Sequence, residues 1–157
     1  MSGFAGSDPP SPPRRVLLFS GHRVDVPGRA PARFPAARVA AAAAAIDAAL
    51  EALDAGAGDL ALTQGSSGGD LLFAEGCVQR GVELRLMLPR DEPQFIDESV
   101  RASADGERWV ERYRAVRTAL RRAPEVLPDA RAGALRGADR FERCNDWLLD
   151  TALAWGR

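Results

Sequence analysis

Lysine is absent from this chain of 157 residues, and all 21 of its basic residues are arginine. This absence excludes a phosphate loop of the GxxxxGKS or GxxxxGKT type, a Schiff-base lysine and a serine/lysine catalytic pair. Histidine occurs once and cysteine twice, at distant positions. The usual zinc sites and a disulfide framework are therefore excluded as well. We expect no intrinsic metal or other intrinsic cofactor, although carboxylates can hold Mg²⁺ through phosphate oxygens.

Long hydrophobic runs and a basic leader followed by an apolar segment are also missing, so we expect a cytoplasmic protein without a membrane segment. Hydrophobic residues make up 46% of the chain, charged residues 27%, and the net charge is −1. These values are typical of one globular domain and not of a generally basic nucleic-acid binder. Residues 1–13 are rich in Ser, Gly and Pro and predict a disordered tail, which leaves residues 14–157 as a single domain.

Strands and helices alternate along the predicted domain. The pattern predicts strands at 16–19, 60–63 and 82–88, the first of them buried on both faces, and a brief strand at 125–127. Helices are predicted at 36–54, 71–80, 93–101, 107–122 and 141–155. This order indicates an α/β fold: a Rossmann-like open parallel sheet of about four or five strands with helices on both faces.

A glycine-rich segment separates the second strand from the second helix. It consists of Gly65, Ser66, Ser67, Gly68 and Gly69. Backbone N–H groups of such a turn can approach a phosphate closely at a helix N-terminus. An ordinary tight turn with a serine cap is the alternative, but five small residues exceed what a turn requires. We therefore favour a phosphate site in this loop.

Other candidate ligand residues lie near the same edge of the predicted sheet. Ser20, Gly21, His22 and Arg23 follow the first strand, Arg29 lies on the next loop, and Arg143 and Asn145 open the last helix. We expect His22 to hydrogen-bond to ligand or loop, because no serine or cysteine nucleophile is evident beside it. Arg29 is either a bidentate phosphate contact or a solvated charge, and Asn145 is either a ligand contact or a helix residue without further role.

Two acidic residues follow the glycine run. Glu75 lies on the second helix among apolar neighbours, and for it we favour structural pairing with an arginine or backbone donors. Contact with the ribose or base of a ligand is the second interpretation, and general acid/base catalysis is the third. Asp70, in the first helical turn, is interpreted as a cap rather than a ligand.

The run G-x-x-G-G-D-L-L-x-A-E at residues 65–75, after VLLFSGHR and before GVELRLMLP, resembles the SLOG superfamily of Rossmann-like nucleotide-binding domains. Its relatives include the Lonely-guy phosphoribohydrolases and the DNA-processing protein A family. The loop SGHRVDVPGRAPARFP resembles SLOG-like domains that accompany tetratricopeptide repeats or nucleotide cyclases in bacterial signalling proteins. The resemblance covers about residues 15–155. It implies a nucleotide ligand and an effector domain as the partner. From the predicted sheet we also expect an exposed edge or a homodimer formed there.

This sequence departs from the superfamily at two points. Ser67 stands where many relatives carry arginine, so that phosphate contact must come from elsewhere, and Arg23 and Arg29 are the candidates for it. The segment P-G-G-x-G-T-x-x-E, which supplies the catalytic glutamate of the Lonely-guy enzymes, does not follow the third strand. We therefore expect a regulatory or signalling module that binds a nucleotide or an NAD-derived signal such as ADP-ribose. The alternative is an N-glycoside hydrolase acting on a nucleotide.

Nucleic acid is not an expected partner. Residues 101–122 hold seven arginines against three acids, but these arginines spread around the exposed side of the predicted helix. The only aromatic residues among them, Trp109 and Tyr113, lie on its core stripe, which leaves no platform for stacked bases. A solvated helix face accounts better for this charge.

Overall fold

A computed structural model describes residues 11–133 and 138–155. Most of the predicted tail at residues 1–13 lies outside the described residues. The structure is an α/β fold with one all-parallel sheet, as predicted. The strands are β1 (Arg15–Leu18), β2 (Asp59–Thr63), β3 (Glu83–Leu88) and β4 (Glu125–Val126). They lie side by side in chain order.

All but one of the helices occupy the predicted positions, with boundaries that differ by a few residues; the short helix at Asp129–Ala132 was not predicted. They are α1 (Val39–Ala52), α2 (Gly69–Gln79), α3 (Glu92–Phe95), α4 (Gly106–Ala119), α5 (Asp129–Ala132) and α6 (Ala138–Ala154). A 3-10 turn, Ala36–Arg38, precedes α1, and a π-helical segment, Ile96–Arg101, continues α3. The helix predicted at 93–101 therefore corresponds to α3 together with this segment.

Helices cover both faces of the sheet. Right-handed crossovers between strands that are neighbours in chain order place the connecting helices on one face. That face joins α1, α2 and α4 to the sheet in a core that includes Leu50, Ala61, Phe73, Leu86 and Trp109. The chain then returns in α6 across the other face, where Leu60, Leu62, Met87, Trp147 and Leu148 form a second core.

The end of α2 has a clear local cause. Gly81 adopts a φ of +71°, which favours glycine. The N–H of Gly81 donates to the carbonyl of Val78 at 3.1 Å, and the N–H of Val82 donates to the carbonyl of Cys77 at 3.0 Å. This pair of bonds is the Schellman arrangement that ends a helix, and it directs the chain into β3.

β1 differs from its prediction. The apolar run predicts a strand buried on both faces, but the strand order places β1 at an edge of the sheet. Its residues are half-buried, and Leu18 is 38% exposed. An edge strand has a neighbour on one side only, so its side chains are less completely covered than those of β2, which is buried along its whole length.

Candidate functional site

A cleft opens beyond the carboxyl ends of β1 and β2, beside the first turns of α6. It has a volume of about 330 Å³ and is lined by Ser20, Gly21, His22, Arg23, Gln64, Ser66, Asp70, Phe141 and Asn145. A larger cavity of about 390 Å³ lies at the opposite end of the sheet, near Gly58, Glu83 and Arg85. We place the candidate site in the cleft because ligands of open parallel sheets bind beyond the carboxyl ends of the strands.

The cleft brings together only part of the predicted set. Ser20, Gly21, His22, Arg23, Ser66 and Asn145 line it together. Arg29 borders a recess next to it. Gly65, Ser67, Gly68 and Gly69 are buried behind its wall, and Glu75 and Arg143 lie elsewhere.

Asp70 holds the wall of the cleft together. Its Oδ1 accepts the N–H of Gly21 at 3.0 Å, just after β1. Its Oδ2 accepts the hydroxyl of Ser66 at 2.8 Å and the N–H of Ser66 at 3.3 Å, just after β2. Burial raises the pKa of Asp70 to about 6, although the N–H and O–H donors oppose the rise. The carboxylate therefore connects two loops, and the interpretation of Asp70 as a cap of its own helix is wrong.

The glycine loop is turned towards the protein interior. The N–H of Ser67 donates to the carbonyl of Ser99 at 3.0 Å, and the N–H of Gly69 donates to the carbonyl of His22 at 3.3 Å. The hydroxyls of Ser67 and Ser103 also bond to each other. These donors already have protein acceptors, and the whole segment is buried. A phosphate could reach the N–H groups of Ser67 and Gly69 only if the covering segments moved away.

Close packing explains the glycine at position 68. Its φ is +92°, and a Cβ there would lie 2.9 Å from the carbonyl oxygen of His22 and 2.9 Å from the backbone nitrogen of Val24. The ring of Phe34 would be equally near. Gly68 therefore lets the segment after β1 lie directly on the glycine loop, and this contact fixes one side of the cleft.

Two amide side chains meet inside the cleft. The Oδ1 of Asn145 accepts a hydrogen bond from Nε2 of Gln64 at 2.9 Å and one from the hydroxyl of Ser20 at 3.4 Å. Gln64 follows β2 directly, Ser20 comes two residues after the end of β1, and Asn145 is supplied by α6. The network thus joins three separate elements at the cleft surface.

An arginine-rich recess adjoins the cleft. It measures about 90 Å³ and is lined by His22, Arg23, Val24, Asp25, Val26, Arg29, Arg33 and Ala102. Asp25 shapes it, because its Oδ2 accepts the N–H groups of Arg33 at 2.9 Å and Phe34 at 3.0 Å. Arg23 donates from Nη1 to the carbonyl of Glu98 at 2.5 Å. His22 and Arg23 line both the recess and the cleft.

Glu75 lies outside the cleft and is paired. Its two oxygens accept from Nε and Nη2 of Arg112, each at 2.7 Å, and Arg112 lies over the ring of Trp109. This is the structural pairing that we favoured for Glu75, and it lies in a groove lined by α1, α2 and α4. Arg143 is mostly exposed, 3.9 Å from Asp146, and it does not line the cleft.

The sequence prediction missed Gln64 and Phe141 as cleft residues. Gln64 had a usable signal, because it is a polar residue directly after a buried strand and next to the glycine run. Phe141 had none of that kind. Phe141 begins the helix predicted at 141–155, and in the structure it is half-buried and lines the cleft four residues before Asn145.

Comparisons with known proteins do not identify a ligand, so the ligand is inferred from the residues of the cleft. Neither a scan against protein-family models nor a search of curated proteins found a match. Among residues 11–133 and 138–155, no group of three His, Cys, Asp or Glu side chains is placed to hold a metal ion. In the same part of the chain, no helix has both the length and the apolar character needed to cross a membrane.

Replacing Gly68 by Ala should destabilise the protein far more than replacing Gly81 by Ala. Both glycines have a positive φ, +92° at Gly68 and +71° at Gly81, so each variant loses at least about 1 to 2 kcal/mol to backbone strain. No atom lies within 4 Å of a Cβ at Gly81, whereas a Cβ at Gly68 meets backbone atoms at 2.9 Å. We expect a further loss of about 1 to 3 kcal/mol at position 68, measured by urea denaturation. Equal losses in the two variants would contradict this packing.

The buried carboxyl of Asp70 should give stability a specific pH dependence. Folding raises its pKa from 3.8 to about 6, so the folded state binds more protons than the unfolded state between these values. The associated stability is present below pH 4 and is lost as the pH rises through 6, by about 3 kcal/mol at 1.36 kcal/mol per pKa unit. Urea denaturation from pH 4 to 7 should show this loss in the wild type relative to Asp70→Asn. Parallel curves for the two proteins would exclude it.

Proposed function

We propose that the protein is a regulatory or signalling module that binds a nucleotide or a nucleotide-derived ligand, such as ADP-ribose or NAD, in the cleft. The observation that carries the proposal is that His22 and Arg23 line both the polar cleft of about 330 Å³ and the adjacent arginine recess of about 90 Å³. The cleft volume is within the usual range for small-molecule sites. The resemblance to SLOG domains supports the same ligand class.

The phosphate groups of the ligand are assigned to the recess. Guanidinium groups bind phosphate through paired N–H donors, and Arg23, Arg29 and Arg33 all line this recess. Arg29 has one carboxylate near it, with its Nε 3.7 Å from Oδ1 of Asp25. This assignment replaces the glycine loop as the phosphate site, because the N–H groups of Ser67 and Gly69 already donate to protein carbonyls.

Binding without hydrolysis is the function that the carboxylates support. An N-glycoside hydrolase needs a carboxylate that can position and deprotonate water. Asp70 is the carboxylate that lines the cleft, and it already accepts hydrogen bonds from Gly21 and Ser66. In the recess, Asp25 accepts two backbone N–H groups, and Glu75 is paired with Arg112. These engagements favour the binding module over the hydrolase.

We further propose that the module works in the cytoplasm and passes its signal to a partner, either a second copy or an effector domain. The exposed side of α6 supports a protein contact, since Leu149 and Leu153 lie one turn apart on it and are about half exposed. α6 also supplies Asn145 to the cleft. A ligand that contacts Asn145 would therefore touch the same helix that presents these leucines.

Replacing Arg23 by Ala should weaken nucleotide binding at least tenfold, because a charge-assisted hydrogen bond contributes about 1.5 to 3 kcal/mol. Arg114→Ala removes the same charge from an exposed position on α4 and should leave affinity unchanged. The measurement is thermal stabilisation by AMP, ADP-ribose and NAD. A ligand at one hundred times its dissociation constant should add about 2.7 kcal/mol to the free energy of unfolding of the wild type.

The unliganded melting temperature of the Arg23 variant serves as the folding control, since Arg23 also bonds to the carbonyl of Glu98. If none of the three ligands stabilises the wild type, the proposed function is wrong. Release of free base from a bound nucleotide by the wild type would instead support the hydrolase.

A further inference from the structure

The two amides in the cleft each keep one polar group unused. A primary amide offers one carbonyl acceptor and two N–H donors. The Nε2 of Gln64 and the Oδ1 of Asn145 bond to each other, which leaves Oε1 of Gln64 and Nδ2 of Asn145 without a partner among the described residues. Both side chains line the cleft, although Gln64 is only 7% exposed.

The kinds of group that the two amides leave for a ligand are the same in both possible orientations of the side-chain amides. If both amides were turned over, Asn145 would donate through Nδ2 to Oε1 of Gln64. The unused groups would then be Nε2 of Gln64 and Oδ1 of Asn145. In either arrangement one amide presents its NH2 group and the other its carbonyl oxygen to the cleft, and the hydroxyl of Ser20 can bond to either atom of Asn145.

A flat apolar surface lies beside the amide pair. Phe141 precedes Asn145 by four residues on α6, which places the two side chains on the same face of the helix. Both line the cleft together with Gln64. An aromatic ring next to a donor and an acceptor is the combination that accommodates a planar ligand group with a polar edge.

We propose that Gln64 and Asn145 recognise a planar group whose edge carries an adjacent donor and acceptor, the edge that adenine presents at N6 and N1 and that a carboxamide presents at its end. This inference rests on the proposed function. It identifies the part of the ligand that occupies the cleft while the phosphate groups occupy the recess. A carboxylate or a phosphate at this point offers acceptors only, so it would leave the amide carbonyl facing an oxygen. Sites with paired polar groups discriminate against analogues that lack one partner.

Two matched pairs of ligands test this recognition in the wild-type protein. AMP is compared with purine riboside 5′-monophosphate, which lacks the exocyclic amine, and nicotinamide mononucleotide is compared with nicotinic acid mononucleotide. We expect the member with the donor and acceptor edge to bind at least tenfold more tightly in one pair, by calorimetric titration. A preference in the first pair identifies adenine as the recognised group, and a preference in the second pair identifies the carboxamide. Ribose 5-phosphate reports the affinity of the phosphate and sugar alone.

The variant Asn145→Asp tests the residues themselves. Aspartate keeps an oxygen that accepts from Gln64 and Ser20, but it replaces the free donor by an acceptor. We expect it to reduce the preference within the discriminating pair to less than threefold while ribose 5-phosphate binds with similar affinity. The control is Asp146→Asn at the exposed neighbouring position on α6, which does not line the cleft and should retain the preference.

The outcomes separate this inference from the proposed function. Equal affinity within both ligand pairs, with ribose 5-phosphate bound as tightly as AMP, would overturn the recognition by Gln64 and Asn145 and leave the phosphate site standing. The ligand pairs decide this in the wild type even if Asn145→Asp fails to fold. Absence of binding by every ligand would overturn both proposals.

Discussion

The carboxylate of Asp70 joins the segments that follow β1 and β2, and the geometry of the cleft depends on this junction. It accepts from the backbone of Gly21 on one side and from the backbone and hydroxyl of Ser66 on the other. A buried donor without an acceptor costs about 1 to 3 kcal/mol, so the N–H of Gly21 and the N–H and hydroxyl of Ser66 depend on one side chain. Ser20, which follows β1, is thereby held beside Gln64, which follows β2.

The same junction determines which parts of the loops remain for a ligand. In a ligand-binding glycine loop, the first N–H groups of the helix face an anion. Here the N–H of Gly69 at the start of α2 donates to the carbonyl of His22, Asp70 accepts the N–H of Ser66, and the segment after β1 covers the loop at Gly68. The surface left to a ligand consists of side chains: the amides of Gln64 and Asn145, the imidazole of His22 and the guanidinium groups around Arg23.

The fold was predictable because its signals are local. Apolar runs and helical periodicity in the sequence located the strands and helices, and Gly81 marked the end of α2 where the structure shows a Schellman motif. Ser20, Gly21, His22 and Arg23 were predicted as cleft residues because they follow a strand of a parallel sheet. Periodicity does not report strand order, so the exposure of β1 at the edge of the sheet was not predictable from its apolar run.

Contacts between distant parts of the chain explain the misses at the site. The bond from Gly21 to Asp70 spans 49 residues, and the bond from Gln64 to Asn145 spans 81. No spacing rule in a single sequence relates such positions. The glycine run has the composition of a phosphate loop, yet its composition does not tell whether its N–H groups face a ligand or the carbonyls of His22 and Ser99.

The most direct measurement is a titration of the protein with ADP-ribose, followed through the chemical shifts of its backbone amides. The proposed function predicts that the largest shifts occur at residues 20–23, at Gln64 and Ser66, and around Asn145. Amides at the opposite end of the sheet, near Glu83 and Arg85, should change little. Shifts concentrated at Glu83 and Arg85, or the absence of shifts at saturating ligand, would contradict the placement of the functional site in this cleft.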